Sequence, residues 1–386
     1  IIIPSASIIS SILYYFYKEL KKTFLQKNIN FNSIFSLSIF LYIIYKVIRY
    51  SEFCNDAVTA LLIFYLIKKF LDENFPQKNF LIIYLLSIFI FLNKTTMIAV
   101  ILIPFISFFF IKNFRNTKEY FKIFFSFPTF ILILWFIKNI LVSGCLIYPL
   151  YNTCINTNWS DLKETKKVST EAEAWSKAWP ENKKKISYDE FNKNFNWLEA
   201  WSKKHLKHIL RINLPFIMAL CLIIFFVFKK TCNKDYKPTL IFIPVIVSVI
   251  GCIIFFLKFP LYRYGYGYII TFISLMFSFV VSKNSQKEKL LKLIQIILII
   301  SPFFFLGKQI VRINKNFENK SIWPYFRANV DFNHNKSEIL IRKYDFNIYY
   351  NSDYCYYSKS ICTRSRLNKF VKIDKFWNYY LIKIKK

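Results

Sequence analysis

Glycine is scarce in this 386-residue chain, which contains five, and acidic residues are scarce too, 22 Asp+Glu against 54 Lys+Arg. The glycine-rich phosphate cradles go with them: there is no P-loop and no GxGxxG, and neither GxSxG nor HExxH occurs. These absences exclude the commonest soluble nucleotide-binding and hydrolase signatures. CxxC spacing is also missing, and a structural zinc site with it. No basic start, short apolar run and small-residue cleavage site marks a signal peptide. The chain opens Ile1-Ile2-Ile3-Pro4 without a methionine, and the expectation is a fragment or a processed product.

What is present is hydrophobic and basic at once: 55% hydrophobic residues, 45 Phe, 26 Tyr and a formal charge of +32. Disorder requires low hydrophobicity, so it is excluded. The apolar residues gather in blocks such as 240–257 and 290–306, with the charges between them, which excludes a single soluble domain. Phe, Ile, Lys, Asn and Tyr are jointly favoured by AT-rich coding, so the charge says little about nucleic acid. No helix-turn-helix, zinc-finger or RNA-binding pattern accompanies it, and no nucleic-acid partner is expected.

A helix needs about 20 apolar residues to cross a hydrocarbon core of roughly 30 Å, with tolerance for short spans. Ten candidate spans follow: 1–17, 33–49, 53–70, 80–93, 95–111, 123–141, 209–228, 240–257, 266–282 and 290–306. Every second connection (18–27, 68–78, 112–122, 229–237 and 283–292) is rich in lysine. Lys/Arg bias in short loops marks the cytoplasmic side. Residue 1, the 142–208 loop and the 307–386 tail then lie outside. The tail carries 17 Lys/Arg and 6 Asp/Glu, but long domains translocate largely regardless of charge. The expected fold is an all-α polytopic membrane protein with a helical outer loop and a small mixed outer module. Its parts are an N-terminal bundle over 1–141, the loop subdomain over 142–208, a C-terminal bundle over 209–306 and the module over 307–386.

Cysteine placement fits that topology. Cys221 and Cys252 fall in spans and read as packing residues. Cys145 with Cys154, and Cys355 with Cys362, are close pairs in the two segments assigned outside, where local disulfides can form. Ordinary free cysteines paired by chance are the other reading.

Five of the eight tryptophans, Trp159, Trp175, Trp179, Trp197 and Trp201, lie in the outer loop. Two compatible readings stand: an interfacial helical subdomain with Trp at the membrane surface, or a platform for sugar faces formed by Trp175, Trp179 and Trp197. Ser187 and Glu190 have the spacing of a capping box, and Phe191, Phe195, Leu198 and Trp201–His205 then recur at helical spacing. In the tail, 339–341 and 346–350 are β-prone, with turns near Asn333 and Asn351. His334 is isolated and reads as a surface residue. His205 and His208 are spaced i, i+3 with no acidic motif to complete a metal site, so they read as interface residues.

The remaining ionisable residues lie at the outer ends of spans. Asp56 follows Glu52 and falls in the first turn of a helix starting near Phe53. There the macrodipole favours a carboxylate, and an ionisable group at membrane depth also marks a functional cavity. Lys94 and Lys138 interrupt apolar stretches, and Arg263 lies in a Tyr- and Gly-rich segment, 258–268. Snorkelling explains any one of the lysines. Together the three cations suit an anionic lipid headgroup, with Arg263 able to hold phosphate oxygens bidentately.

At these residues the chain resembles a known group. The strings Tyr50-Ser-Glu-Phe-Cys-Asn-Asp-Ala57, Trp135-Phe-Ile-Lys-Asn-Ile-Leu-Val-Ser-Gly-Cys-Leu-Ile-Tyr-Pro149 and Glu173-Ala-Trp-Ser-Lys-Ala-Trp-Pro180 carry the likeness. Asn194-Phe-Asn-Trp197 and the segment from Cys355 to Cys362 add to it. They are similar to an uncharacterised family of polytopic bacterial inner-membrane proteins linked to surface-polysaccharide and O-antigen synthesis. That family is in turn similar to the GT-C superfamily of polyprenyl-phosphate-sugar-dependent glycosyltransferases. The likeness covers roughly residues 30–380.

The resemblance implies transfer of a sugar from a polyprenyl phosphate in the outer leaflet to a cell-surface glycan acceptor. It implies an acidic residue in the first outer loop as base or metal ligand, a loop expected upstream of Ile1. Asp56 and Glu52 are then the catalytic candidates here, with a divalent cation, Mg or Mn, as the conceivable cofactor. Lys94, Lys138 and Arg263 are the candidates for lipid phosphate. Two residues depart from the pattern, Cys54 in place of Gly and Lys138 in place of Arg. The second loses a bidentate fork. An O-antigen polymerase or ligase, and a non-enzymatic transporter or accessory subunit for lipid-linked oligosaccharide, are the alternative functions.

Overall fold

The computed structural model describes residues 2–46, 55–72, 80–110, 125–157, 159–182, 186–228, 241–318, 338–343, 346–350, 361–363, 371–376 and 379–384. It divides into two units, Ile1–Leu306 and Gly307–Lys386.

The first unit is helical, as its apolar blocks dictate: where side chains exclude water, the backbone must satisfy its own hydrogen bonds. Its helices are α1 (Ile2–Gln26), α2 (Phe31–Lys46), α3 (Asn55–Leu71), α4 (Phe80–Asn93), α5 (Leu102–Phe110) and α6 (Phe127–Ser143). They continue with α7 (Leu162–Ser176), α8 (Tyr188–Asn192), α9 (Leu198–Trp201), α10 (Lys207–Val227), α11 (Phe242–Lys258), α12 (Tyr262–Asn284) and α13 (Lys287–Glu318). A 3-10 turn, Thr95–Ile101, links α4 to α5, and a π turn, Ser202–Leu206, links α9 to α10.

Helix α12 is the hub, packed by α2, α3, α10 and α11. Its buried residues, among them Tyr262, Tyr266, Ile270, Leu275 and Phe277, surround the helix instead of forming one stripe. Glycine permits the closest approach. A Cβ on Gly251 would run into the Tyr268 ring, and one on Gly265 would run into the Phe255 ring. Polar side chains inside the bundle are paired across helices. Tyr262 Oη donates to Asn213 Oδ1 at 2.7 Å, Tyr42 and Tyr262 hydroxyls meet at 3.1 Å, and Ser38 Oγ donates to Ser274 Oγ at 2.8 Å.

Among the described residues, three helical stretches are long and apolar enough to cross a membrane by length and composition: Leu198–Val227, Tyr262–Asn284 and Lys287–Val311. Five more apolar helices are shorter. Large apolar side chains also face outward, including Phe130, Ile133 and Ile137 on α6, Leu214, Met218 and Phe225 on α10, and Ile299, Ile300 and Phe303 on α13. Such faces are compatible with a membrane-associated protein.

Several boundaries differ from the sequence expectation. Helix α1 runs past residue 17 to Gln26, because Leu20 and Thr23 turn inward and keep the polar segment packed. The run of helical spacing after Ser187 is broken. Ser187 Oγ does cap α8 by accepting from the Glu190 amide at 3.2 Å, but Lys193 is extended and ends the helix at Asn192, and Asn194 and Phe195 follow with positive φ before α9 begins. Positive φ lies outside the right-handed helical region, so the helical run cannot continue through these residues.

The second unit contains strands β1 (Glu338–Lys343), β2 (Phe346–Tyr350), β3 (Ile361–Thr363), β4 (Val371–Phe376) and β5 (Tyr379–Ile384). β1 pairs with β2 antiparallel, β2 with β3 parallel, and β4 with β5 antiparallel. The β-prone pieces 339–341 and 346–350 lie in β1 and β2. Turns expected near Asn333 and Asn351, His334, and the bonding of Cys355 with Cys362 fall outside the described residues or side chains.

Candidate functional site

Asp56 occupies the first turn of α3, where the helix N-terminus favours a carboxylate. Lys94 sits between α4 and the 3-10 turn in an extended conformation, φ −154° and ψ 106°. Its amide still closes α4 on Ile90 and Phe91, so the break turns the side chain inward. Lys94 Nζ donates to Asp56 Oδ1 and, at 3.2 Å, to the Arg263 carbonyl, and it lies 4.2 Å from the centre of the Tyr264 ring. Only 8% of the Lys94 side chain is exposed. A carboxylate, a carbonyl and a ring face together compensate the burial of this ammonium.

Arg263 enters from the first turn of α12. Its Nε is 3.7 Å from Asp56 Oδ2, its Nη2 donates to Tyr264 Oη at 2.9 Å, and 60% of its side chain is exposed. Tyr266 Oη donates to the Asp56 carbonyl at 3.3 Å. Two cations thus share one carboxylate, leaving a formal excess of one positive charge beside two tyrosines, Tyr264 and Tyr266. Both Asp56 oxygens face cations, so Asp56 holds Lys94 and Arg263 in place instead of presenting a free oxygen. The guanidinium is largely exposed, and a planar fork of N–H donors at the surface suits a phosphate or carboxylate.

The other predicted residues lie differently. Glu52 is outside the described residues. Lys138 stands apart on α6, its ammonium 5.8 Å from the Trp135 ring centre, with no ion pair to Asp56 among the described residues. The proposed sugar platform does not form as a unit. Trp197 is buried, 2% exposed, with its ring against Trp201 and Phe256, so it cannot stack on an external sugar. Trp179 packs on Tyr188 and Phe191, and Trp175 alone is open, 53% exposed. Cys145 and Cys154 are joined by a disulfide, while Cys221 and Cys252 are free thiols. His208 lies edge-on to Tyr262, and His205 Nε2 is buried without a hydrogen-bond partner. No group of three or more His, Cys, Asp or Glu among the described residues could hold a metal ion.

Two charged clusters were not foreseen. In the 142–208 loop, Lys177 Nζ bonds Glu173 Oε1 at 2.5 Å and lies 5.0 Å from the Trp197 ring centre, while Lys258 Nζ of α11 reaches Glu173 Oε2 at 3.3 Å. Burial lowers the pKa of Lys177, and the hydrogen bond and charge of Glu173 oppose the shift. At the C-terminal end of α3, buried Lys68 pairs with Glu19 at 3.1 Å and Asp72 at 2.6 Å. The signal in both cases was the i,i+4 spacing of opposite charges, Glu173 with Lys177 and Lys68 with Asp72.

A family model described as a domain of unknown function, DUF8201, matches residues 4–270. No curated protein matches the chain, and no solved structure does.

Proposed function

The chain belongs to the DUF8201 family, and we propose that its Asp56 cluster is the phosphate-recognition site of a membrane glycosyltransferase. In this reading a GT-C-like enzyme takes a sugar from a polyprenyl-phosphate donor and passes it to a cell-surface glycan acceptor. The observation that carries it is the sharing of Asp56 between buried Lys94 and exposed Arg263. A guanidinium beside a carboxylate and bonded to Tyr264, with most of its side chain exposed, is placed to meet a phosphate. Lys94 supports the field from beneath, and Tyr264 fixes the guanidinium plane.

The same reading sets the chain in the bacterial inner membrane with ten spans, and with the 142–208 loop and the tail outside. Two observations support that orientation. The disulfide between Cys145 and Cys154 suits an oxidising compartment. Asp56, Lys94, Lys258 and Arg263 all sit at helix ends that meet at one end of the bundle.

The test is binding and turnover in nanodiscs containing the full chain. With farnesyl phosphate as probe, Arg263→Ala should weaken binding about tenfold or more, since charge-assisted bonds contribute roughly 1.5–3 kcal/mol each. Arg263→Lys should recover part of it. Equal binding by wild type and Arg263→Ala would remove the phosphate site. Sugar incorporation by a deletion strain carrying Arg263→Ala, at the wild-type level, would remove the enzymatic reading.

A further inference from the structure

The chain just before Arg263 is gripped by the outer-loop subdomain. Trp201 Nε1 donates to the Pro260 carbonyl at 2.8 Å, a buried bond. Ser176 Oγ donates to the Lys258 carbonyl at 3.3 Å. Glu173 bridges Lys177 and Lys258, and the Trp197 and Trp201 rings each lie 5.3 Å from Phe256. The contacts made outside the loop land on the last turn of α11, at Phe256 and Lys258, and on Pro260 in the connection to α12. None lands on Arg263 itself.

From the bundle side, Lys94 and Asn213 hold the first turn of α12 through the Arg263 carbonyl and the Tyr262 hydroxyl, and the backbone closes the connection on itself. Phe259 closes α11 on Phe255, Leu261 bonds Phe259 across a tight turn, and Tyr264 bonds Leu261 as α12 starts. Leu261 at the N-cap has no side-chain cap bond. A helix start without a cap leaves its first amides to be held by what packs on them. Two carbonyls, Lys258 at the end of α11 and Pro260 in the connection, accept from donors of the loop subdomain. One of those donors, the Trp201 indole, is buried, and burial strengthens a hydrogen bond and makes its loss costly.

We infer that the outer-loop subdomain positions Arg263, with Trp201 and Glu173 as positioning residues that hold the α11–α12 connection at the phosphate site. The inference rests on the reading of the Asp56 cluster as a phosphate site. It assigns the Trp-rich loop a task other than stacking on sugar: it sets the first turn of α12 so that the guanidinium meets Asp56 and Tyr264. Truncating Trp201 would leave Arg263 chemically intact and misplaced.

The experiment uses the full chain in nanodiscs and two readouts. Hydrogen–deuterium exchange of the 256–264 segment reports the grip without any ligand. Farnesyl phosphate titration reports the phosphate site. Trp201→Phe keeps the ring packing and removes the indole donor, and Glu173→Gln keeps the shape and removes the charge. Exposed Glu199→Gln, which breaks a surface pair with Lys203, is the control. Both test variants should speed exchange in 256–264 at least severalfold and weaken farnesyl phosphate binding threefold or more, and the control should do neither. Combined with Arg263→Ala, Trp201→Phe should cost nothing further, because a residue acting only through Arg263 loses its effect when Arg263 is gone. A general folding defect would add to the Arg263 loss instead, and would overturn the inference. Unchanged exchange in both variants would overturn it as well, whatever the ligand does. Faster exchange with undiminished binding, where Arg263→Ala does weaken binding, would also sink it. Faster exchange with no farnesyl phosphate binding by wild type would remove the phosphate reading and leave the grip standing as a structural contact.

Discussion

Lys94 and Asp56 are 38 residues apart in sequence and joined in space by an ion pair. The pair ties the start of α3 to the break after α4, and Arg263 completes it from α12. Structure and candidate chemistry therefore depend on the same three side chains, and variants separate the two.

Asp56→Asn should destabilise the chain more than an exposed carboxylate loss would. It leaves the Lys94 ammonium buried with a neutral partner, and breaking a buried pair from one side costs about 3 kcal/mol. Asp56→Asn/Lys94→Met should recover most of the loss, because a neutral pair of similar size needs no countercharge. Unfolding midpoints in mild detergent measure both. A single variant as stable as wild type would show that the pair contributes nothing.

Reduction should loosen the start of the outer loop. The bond between Cys145 and Cys154 closes a loop of sequence separation nine. In the chain-entropy account that contributes about 2–3 kcal/mol. The peptide carrying both cysteines should take up an alkylating agent only after reductant, whereas Cys221 needs none. Ready alkylation before reduction, read by mass spectrometry, contradicts the bond.

Gly265→Ala should push α11 and α12 apart. Its new methyl meets the ring of Phe255, a buried residue. Overpacking of this kind costs about 2 kcal/mol. The effect should be non-additive with Phe255→Ala, since the clash vanishes with the ring. Additive losses in a thermal-unfolding cycle would place the cost elsewhere.

Lys177 gives a pH signature. Burial lowers its pKa below the ordinary 10.5, so the folded chain binds fewer protons than the unfolded one in the window just below 10.5. Stability should therefore rise with pH through that window, as the penalty of a buried ammonium is relieved. Lys177→Met should flatten this part of the profile relative to wild type. An unchanged slope in the difference between the two unfolding curves would contradict the assignment.

The helices were legible because long apolar runs with few glycines leave one backbone solution. Their ends were less so. The extension of α1 to Gln26 depends on Thr23 meeting Ser33 of the next helix at 3.1 Å, a contact that no local pattern announces. Asp56, Lys94 and Arg263 were legible as charges out of place in apolar surroundings. That they share one ion cluster was not, since nothing in spacing distinguishes Lys94 from Lys138. Trp197 was misread for a related reason. Aromatic richness marks a segment without showing which ring faces inward, and Lys177 together with Phe256 takes up the faces of this one.

The shortness of α4 has a mechanical consequence. Fourteen residues extend about 21 Å, against a hydrocarbon core of about 30 Å. Its outward side chains, Leu81, Ile82, Leu85 and Phe89, are apolar along that whole length. If α4 spans the bilayer as proposed, lipid beside it would have to thin to match it, while the 30-residue stretch Leu198–Val227 exceeds the same core. A bilayer dimpled on the side of Lys94 would lower its headgroups toward the ion cluster, so that membrane thickness itself becomes a variable in how readily a lipid phosphate reaches Arg263.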